Sequence, residues 1–372
     1  MTGFKIRKLE AFCFRYPLST PVVTSFGRMN DRPALFVRAE DEDGQHGWGE
    51  VWCNFPPLGA EHRGRLINEM LAPLFAGRAI EHPSEMFDYL TAATSVMALQ
   101  AGEQGPFAQA IAGVDIALWD LFARREKQPL WRLLGATSGR MRVYASGINP
   151  DGSAQTAEKA MQRGHRAFKL KIGFGAERDH ANLRDLRQLI GDLPLAVDVN
   201  QGWSIGPALE QAPKLEDFHL LWLEEPLRAD RPWSEWRALH DRITTPIAGG
   251  ENIAGREKFA AALSEGILSV VQPDAAKWGG ISGCLAVAGD VLKAKKTYCP
   301  HYLGGGIGLV ASAHLLAARN GGWLEVDAND NPLRDAFCGA AGRVKNGEIE
   351  LDEAPGLGIE PDLASIAQYR TL

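Results

Sequence analysis

The sequence predicts an α/β protein in which a (β/α) barrel of the TIM type carries an α+β N-terminal capping domain. Three observations lead there. Beyond residue 135, short apolar runs alternate with helical segments, at intervals of about 25 residues that match one strand-plus-helix unit. Before it, polar and apolar residues alternate as in antiparallel strands, and helical stretches follow. Finally, 372 residues exceed what one hydrophobic core usually holds, so a barrel with a smaller partner domain is expected.

Taken in order, residues 4–16 alternate, residues 34–39 (ALFVRA) are apolar, and Asp41-Glu42-Asp43-Gly44 is a turn leading to a third strand over residues 47–52. Residues 17–31, rich in Ser, Thr, Gly and Pro, read as a mobile loop, and residues 53–59 (CNFPPLG) as a second loop. Residues 62–75 and 107–125 have helical patterning. In the latter, Ile111, Val114, Leu118 and Leu121 are spaced to form one buried stripe. Pro129 and Gly135 punctuate the chain, so the cap is assigned to residues 1–135 and the barrel to residues 136–345. The eight barrel strands are expected at residues 143–146, 167–172, 194–199, 220–225, 245–250, 267–273, 297–300 and 323–326. Residues 346–372 read as a short strand and a loop returning to the cap.

A net charge of −6 without any basic run excludes an electrostatic footprint for nucleic acid. No stretch approaches the roughly 18 apolar residues of a membrane span, and the N-terminus MTGFKIRKLEAF lacks the apolar run of a signal peptide. Cys13, Cys53, Cys284, Cys299 and Cys338 are odd in number, scattered and never in a CxxC pair. Reduced thiols and a cytoplasmic location are therefore expected.

The chemistry gathers at the C-terminal ends of the predicted barrel strands, where barrel enzymes build their sites. Successive runs end on Lys169 and Lys171, Asp198 and Asn200, Glu224 and Glu225, Glu251, Asp274, His301 and Glu325. One polar residue at such a place means little; seven strands in succession carry a signal. Asp198, Glu224 and Glu251 fall on three adjacent strands about 4.8 Å apart, and three carboxylates at matched height are expected to converge. Singly, each reads equally as a helix cap or a surface ion pair. As a set they repel one another unless a cation sits between them, and all-oxygen ligation selects a hard ion such as Mg²⁺. Lys169 and Lys171 share one face of a strand, so both point into the barrel mouth and are expected to depress each other's pKa. Asp274 and His301 end adjacent strands, where a carboxylate orients an imidazole. Gly304, Gly305 and Gly306 imply that the backbone there closely approaches something, while His314 reads as a packing residue or a helix-surface residue.

The combination KLK (169–171), DVN (198–200), EEP (224–226), GEN (250–252), QPDAAKWGG (272–280), His301 and LE (324–325) resembles the mandelate racemase subgroup of the enolase superfamily, over nearly the whole chain. The resemblance implies one Mg²⁺ per subunit on Asp198, Glu224 and Glu251, and abstraction of the α-proton of a carboxylate substrate to give an enediolate stabilised by the metal. It makes Lys171 the base on one face and His301, oriented by Asp274, the acid or base on the other. Lys169 would neutralise one substrate carboxylate oxygen, and Glu325 would donate to the other. Arg28, Trp52 and Asn54 in the cap, with Asn200, Trp203 and Tyr302 at the barrel rim, are the candidates for substrate contacts. The partners implied are a small-molecule carboxylate and further copies of the chain, in a homo-oligomer between dimer and octamer. Dehydration of an aldonate or aldarate to a 2-keto-3-deoxy acid is the leading reaction. Racemisation or epimerisation of a 2-hydroxy acid uses the same residues, and a non-catalytic metal-binding scaffold is the reading from outside enzymology.

Overall fold

The computed structural model describes residues 3–23 and 27–372. Four strands, β1 (Phe4–Val23), β2 (Arg28–Asp41), β3 (His46–Val51) and β4 (Ala79–Ile80), form the cap sheet in the order β3-β2-β1-β4. One expectation is corrected here. Much of the segment 17–31 is strand rather than loop, because β1 and β2 stay paired from Ile6 opposite Asp41 to Val23 opposite Arg28, with a register shift between Pro17 and Val22. Cross-strand hydrogen bonding along a continuous hairpin outweighs the turn-prone composition. Residues 24–26 of that predicted loop lie outside the described residues.

Three helices cover the sheet: α1 (Gly59–Arg65), which runs on into tighter and wider turns as far as Phe75, α2 (Pro83–Ala101) and α3 (Gln104–Arg125). The sequence reading did not single out α2. Its buried positions Met86, Leu90, Thr94 and Ala98 recur only every fourth residue, a narrow stripe in a segment where other apolar residues fall on every face. By length and composition α3 could cross a bilayer, but most of it is buried within the fold. Close approach explains the glycines opposite it: a Cβ on Gly47 or Gly49 of β3 would collide with the α3 backbone at Ala117, Leu121 and Gly113.

After α4 (Leu130–Leu133), eight parallel strands follow: β5 (Arg140–Ile148), β6 (Phe168–Lys171), β7 (Leu195–Asp198), β8 (Leu223–Glu224), β9 (Ile247–Gly249), β10 (Leu268–Val271), β11 (Thr297–Tyr298) and β12 (Leu324–Asp327). Each lies at one of the predicted apolar runs. Seven helices connect them: α5 (Ser153–Gln162), α6 (Ala176–Ile190), α7 (Ile205–Gln211), α8 (Trp233–His240), α9 (Arg256–Glu265), α10 (Gly280–Lys293) and α11 (Gly306–Arg319). The strands pair in sequence order from β5 to β11, and β12 pairs back onto β5. The Gly322 amide donates to the Tyr298 carbonyl at 2.8 Å and closes the ring. Inside, Tyr144 and Trp222 alternate with Ala167, Ala196 and Ala248, so large and small side chains share the barrel axis. A last strand, β13 (Glu348–Glu350), pairs antiparallel with β5. The chain then reaches the cap, where Asp120 accepts the Leu357 amide and the Cys13 carbonyl accepts the Thr371 amide. All five cysteines are buried and unbridged.

Candidate active site

The C-terminal ends of the barrel strands form one continuous polar cluster. On β6, period-two alternation turns Lys169 and Lys171 to the same side, and both are buried. Lys169 forms ion pairs with Glu224 and, at 2.9 Å, with Glu325; Asp198 lies 3.8 Å away. Burial opposes the Lys169 charge, but Glu224 and Glu325 outweigh it and hold the ammonium pKa well above its usual value. The expected mutual depression is therefore not what Lys169 shows, because carboxylates rather than its fellow lysine set its surroundings. Lys171 donates to Asn200 Oδ1 at 2.7 Å.

Asp198 and Glu224 stand side by side in the β7–β8 register, whereas β9 reaches the same level at Ala248, three residues before Glu251. Among the described residues no three His, Cys, Asp or Glu side chains stand in a geometry that would by itself hold a metal ion. Each of the three carboxylates takes a different partner. Asp198 accepts from the Asn200 backbone and side-chain amides. Glu224 accepts from Lys169, Trp222 Nε1 and Gln272 Nε2. Glu251 pairs with His301 Nε2 and lies 3.6 Å from Lys277. Burial, followed by the charge of Glu251, pushes the Glu225 carboxyl well up; Glu225 also accepts from Asn252. The three strand-end carboxylates offer only oxygen donors, and two further buried carboxyl groups, Glu225 and Glu325, stand near them. That donor chemistry fits a hard divalent cation, with Asp198, Glu224 and Glu251 as the residues to hold it.

Across the mouth, His301 Nδ1 donates to Asp274 Oδ2 at 2.7 Å. The other Asp274 oxygen accepts the Ala276 and Lys277 amides, which locks the carboxylate. Burial opposes charge on the imidazole, but Glu251, Glu325 and Asp274 together raise its pKa well above the usual histidine range. Glu325 accepts from Lys169, from the Ser146 hydroxyl and from the Tyr302 amide at 3.0 Å. Burial pushes its pKa up, yet Lys169 and His301 bring it below normal. Glu325 thus lies between the Lys169 and His301 side chains and takes three protein donors.

The cap candidates separate. Trp52 donates its amide to the Ala276 carbonyl at 3.0 Å, and its ring carries the Lys277 ammonium at 4.7 Å. Asn54 donates to the Leu303 carbonyl at 2.8 Å. Arg28 is exposed beside Gly27, which packs against Phe55 of the second cap loop. At the barrel rim Trp203 is half-buried, with its indole nitrogen near Gly173. Tyr302 is only 3% exposed, and its ring packs on Gly304 and Gly308. His314 is a core residue: Nδ1 accepts the Trp131 amide at 2.8 Å and Nε2 meets the Leu357 carbonyl.

Sequence reasoning passed over four members of this network. Lys277, three residues after Asp274, bridges Glu251, Asn252 and Trp52. Ser146, Gln272 and Glu50 hold Glu325, Glu224 and the Gly305 amide, respectively. Lys277 and Gln272 lie inside the quoted 272–280 motif and were within reach of the strand-end rule. Glu50 ends a cap strand, and only the folded contact between cap and barrel gives it meaning.

Comparison with known proteins places this geometry. The enolase C-terminal domain-like family matches residues 152–365, and the mandelate racemase / muconate lactonizing enzyme N-terminal domain matches residues 7–135. Arabinonate dehydratase of Saccharolobus solfataricus is 30% identical over 339 residues, 88% of each chain. D-Galactarolactone cycloisomerase of Agrobacterium fabrum is 27% identical over 98% of this chain and 99% of its own. A mandelate racemase/muconate lactonizing enzyme structure from Bordetella bronchiseptica RB50 superposes with a TM-score of 0.94, at 52% identity over 99% of both chains. An enolase from Bradyrhizobium, complexed with magnesium and mandelic acid, has a TM-score of 0.87 and 28% identity over all of both chains.

Proposed function

Because the chain belongs to the mandelate racemase / muconate lactonizing enzyme family of the enolase superfamily, we propose that it is a Mg²⁺-dependent dehydratase of a sugar acid, an aldonate or aldarate. The observation that carries this reading is the pair of acid–base groups, Lys171 and the Asp274–His301 dyad, on strands at opposite sides of one barrel mouth, flanking the carboxylates. A family relative acts on arabinonate and a solved relative binds magnesium, which supports both substrate class and metal.

Asp198, Glu224 and Glu251 would hold one Mg²⁺ per subunit. When bound, it supplies positive charge against the negative charge that develops on the substrate carboxylate. Lys171 removes the α-proton from one face. His301, oriented by Asp274, delivers a proton to the departing β-hydroxyl, so water leaves as the carbon–carbon double bond forms. Tautomerisation of that enol yields the 2-keto-3-deoxy acid. Lys169, fixed by Glu224 and Glu325, places a cation where one substrate carboxylate oxygen would lie. The test is a screen of mono- and diacid sugars with Mg²⁺, assayed for keto-acid formation. Exchange of the α-proton for deuterium without keto acid would favour the second reading, racemisation of a 2-hydroxy acid, which the same two-sided geometry allows. Neither exchange nor keto acid with any candidate would leave only the scaffold.

A further inference from the structure

Three residues in alternate positions of the cap, Glu50, Trp52 and Asn54, all reach across to the barrel, as one face of an extended segment must. Trp52 meets the loop that carries Asp274, and the other two meet the segment that follows His301. The Glu50 carboxylate, 1% exposed, accepts the Gly305 amide at 2.5 Å and the Gly308 amide at 2.8 Å. Gly305 is the N-cap of α11, so a carboxylate from another domain serves the unsatisfied amides of that helix terminus. This accounts for the glycine run. A Cβ on Gly305 would stand 2.5 Å from Glu50 Oε1 and 3.0 Å from its carboxyl carbon, while one on Gly308 would strike the Tyr302 ring. Gly304 and Gly305 are shaped around the Tyr302 ring and Glu50, whereas Gly306 lies against the backbone of residues 334–338.

Residues 301–306 are also held by the barrel, through the His301 ring to Asp274 at 2.7 Å, the His301 amide to the Pro273 carbonyl at 3.2 Å, the Tyr302 amide to Glu325 and Asn331 to the Gly304 carbonyl at 3.0 Å, and by the cap through Asn54 to the Leu303 carbonyl at 2.8 Å. Lys171, by contrast, is held by Asn200 on the neighbouring barrel unit. We propose that Glu50 is the positioning residue for the His301 arm: docking of the cap carboxylate on the start of α11 sets where the imidazole stands, and the Lys171 arm does not depend on it. The proposal rests on the acid–base role given to His301 above.

The test compares wild type with Glu50→Gln, which keeps the shape but presents an amide donor to one of the two backbone N–H groups, and with Glu50→Asp, which keeps the charge on a shorter stem. Amide hydrogen exchange needs no substrate. In Glu50→Gln, peptides covering 301–308 should exchange about tenfold faster, while peptides covering 169–175 stay as in wild type. On whichever acid sugar the wild type dehydrates, kcat should fall about a hundredfold with KM changed little, since misplacement of an acid–base group acts on the chemical step; Glu50→Asp should recover part of it. Unchanged exchange at 301–308, or equal loosening of 169–175, overturns the proposal. So does an unchanged kcat in a variant whose 301–308 segment is loosened. If the wild type turns over no acid, the functional reading fails by itself, and the exchange data still decide what Glu50 holds.

Discussion

Lys171 and His301 flank the same mouth but are built differently. Lys171 sits on β6, and its partner Asn200 follows the adjacent strand β7, so its surroundings come from two consecutive βα units. His301 leans on Asp274 from the neighbouring strand, but the segment after it is tied to Glu50 and Asn54 of the cap, some 250 residues earlier in the chain. One arm is therefore a local product of the barrel, and the other is completed only when two domains meet. Substrate specificity and acid–base placement become linked on the His301 side, because the cap loops that would contact substrate also anchor that arm.

The largest effects should be symmetrical. Lys171→Ala and His301→Asn are each expected to abolish turnover, a loss of at least about 10⁴-fold, while Mg²⁺ still binds in calorimetric titration. Retained activity in either variant would break the two-armed assignment. Asp274→Asn should cost about a thousandfold in kcat through the orientation and tautomer of His301, with α-proton exchange from the Lys171 face preserved in D₂O. Loss of exchange on both faces would show that the arms are not independent. Asn54→Ala removes one hydrogen bond to the Leu303 carbonyl and should lower kcat about fivefold, against no change in KM for a short hydroxy acid. A pure KM effect would instead make Asn54 a substrate contact.

A last effect, on stability rather than turnover, contrasts the two buried histidines that bracket the first part of α11. Neighbouring carboxylates raise the His301 pKa, whereas burial lowers that of His314 to about 4 from an ordinary value of 6.5. The unfolded chain then binds the proton more readily than the fold, so His314 costs nothing above pH 6.5. Stability is lost as pH falls from 6.5 towards 4, by about 2 kcal/mol at pH 5. His314→Gln should remove that part of the slope in urea unfolding at pH 7 and pH 5. An unchanged slope would mean that His314 is charged inside the core.

The strand-end rule found the polar cluster because it depends only on period-two alternation and on the polarity of barrel ends: Lys169 and Lys171 share one face of β6, and Asp274 meets His301, as their spacing implied. It could not give the state of each group. Which groups surround Glu325, namely Lys169, Ser146 and the Tyr302 amide, is visible only in the fold. The same holds for Tyr302, one residue from His301, whose ring packs on Gly304 and Gly308. The β1–β2 hairpin was misread for a different reason, since Ser, Thr, Gly and Pro describe a turn only until a partner strand supplies the hydrogen bonds.

What the amino-acid order determined by itself was the kind of fold and the cast of the site. Both follow from local periodicity: about 25 residues for the βα unit and two for which side chains share a face. What tertiary structure decided was which charges neutralise which, and that Glu50 meets the segment that follows His301. Pairing and pKa depend on distances of a few ångströms between strands far apart in the chain, and no local pattern records those distances.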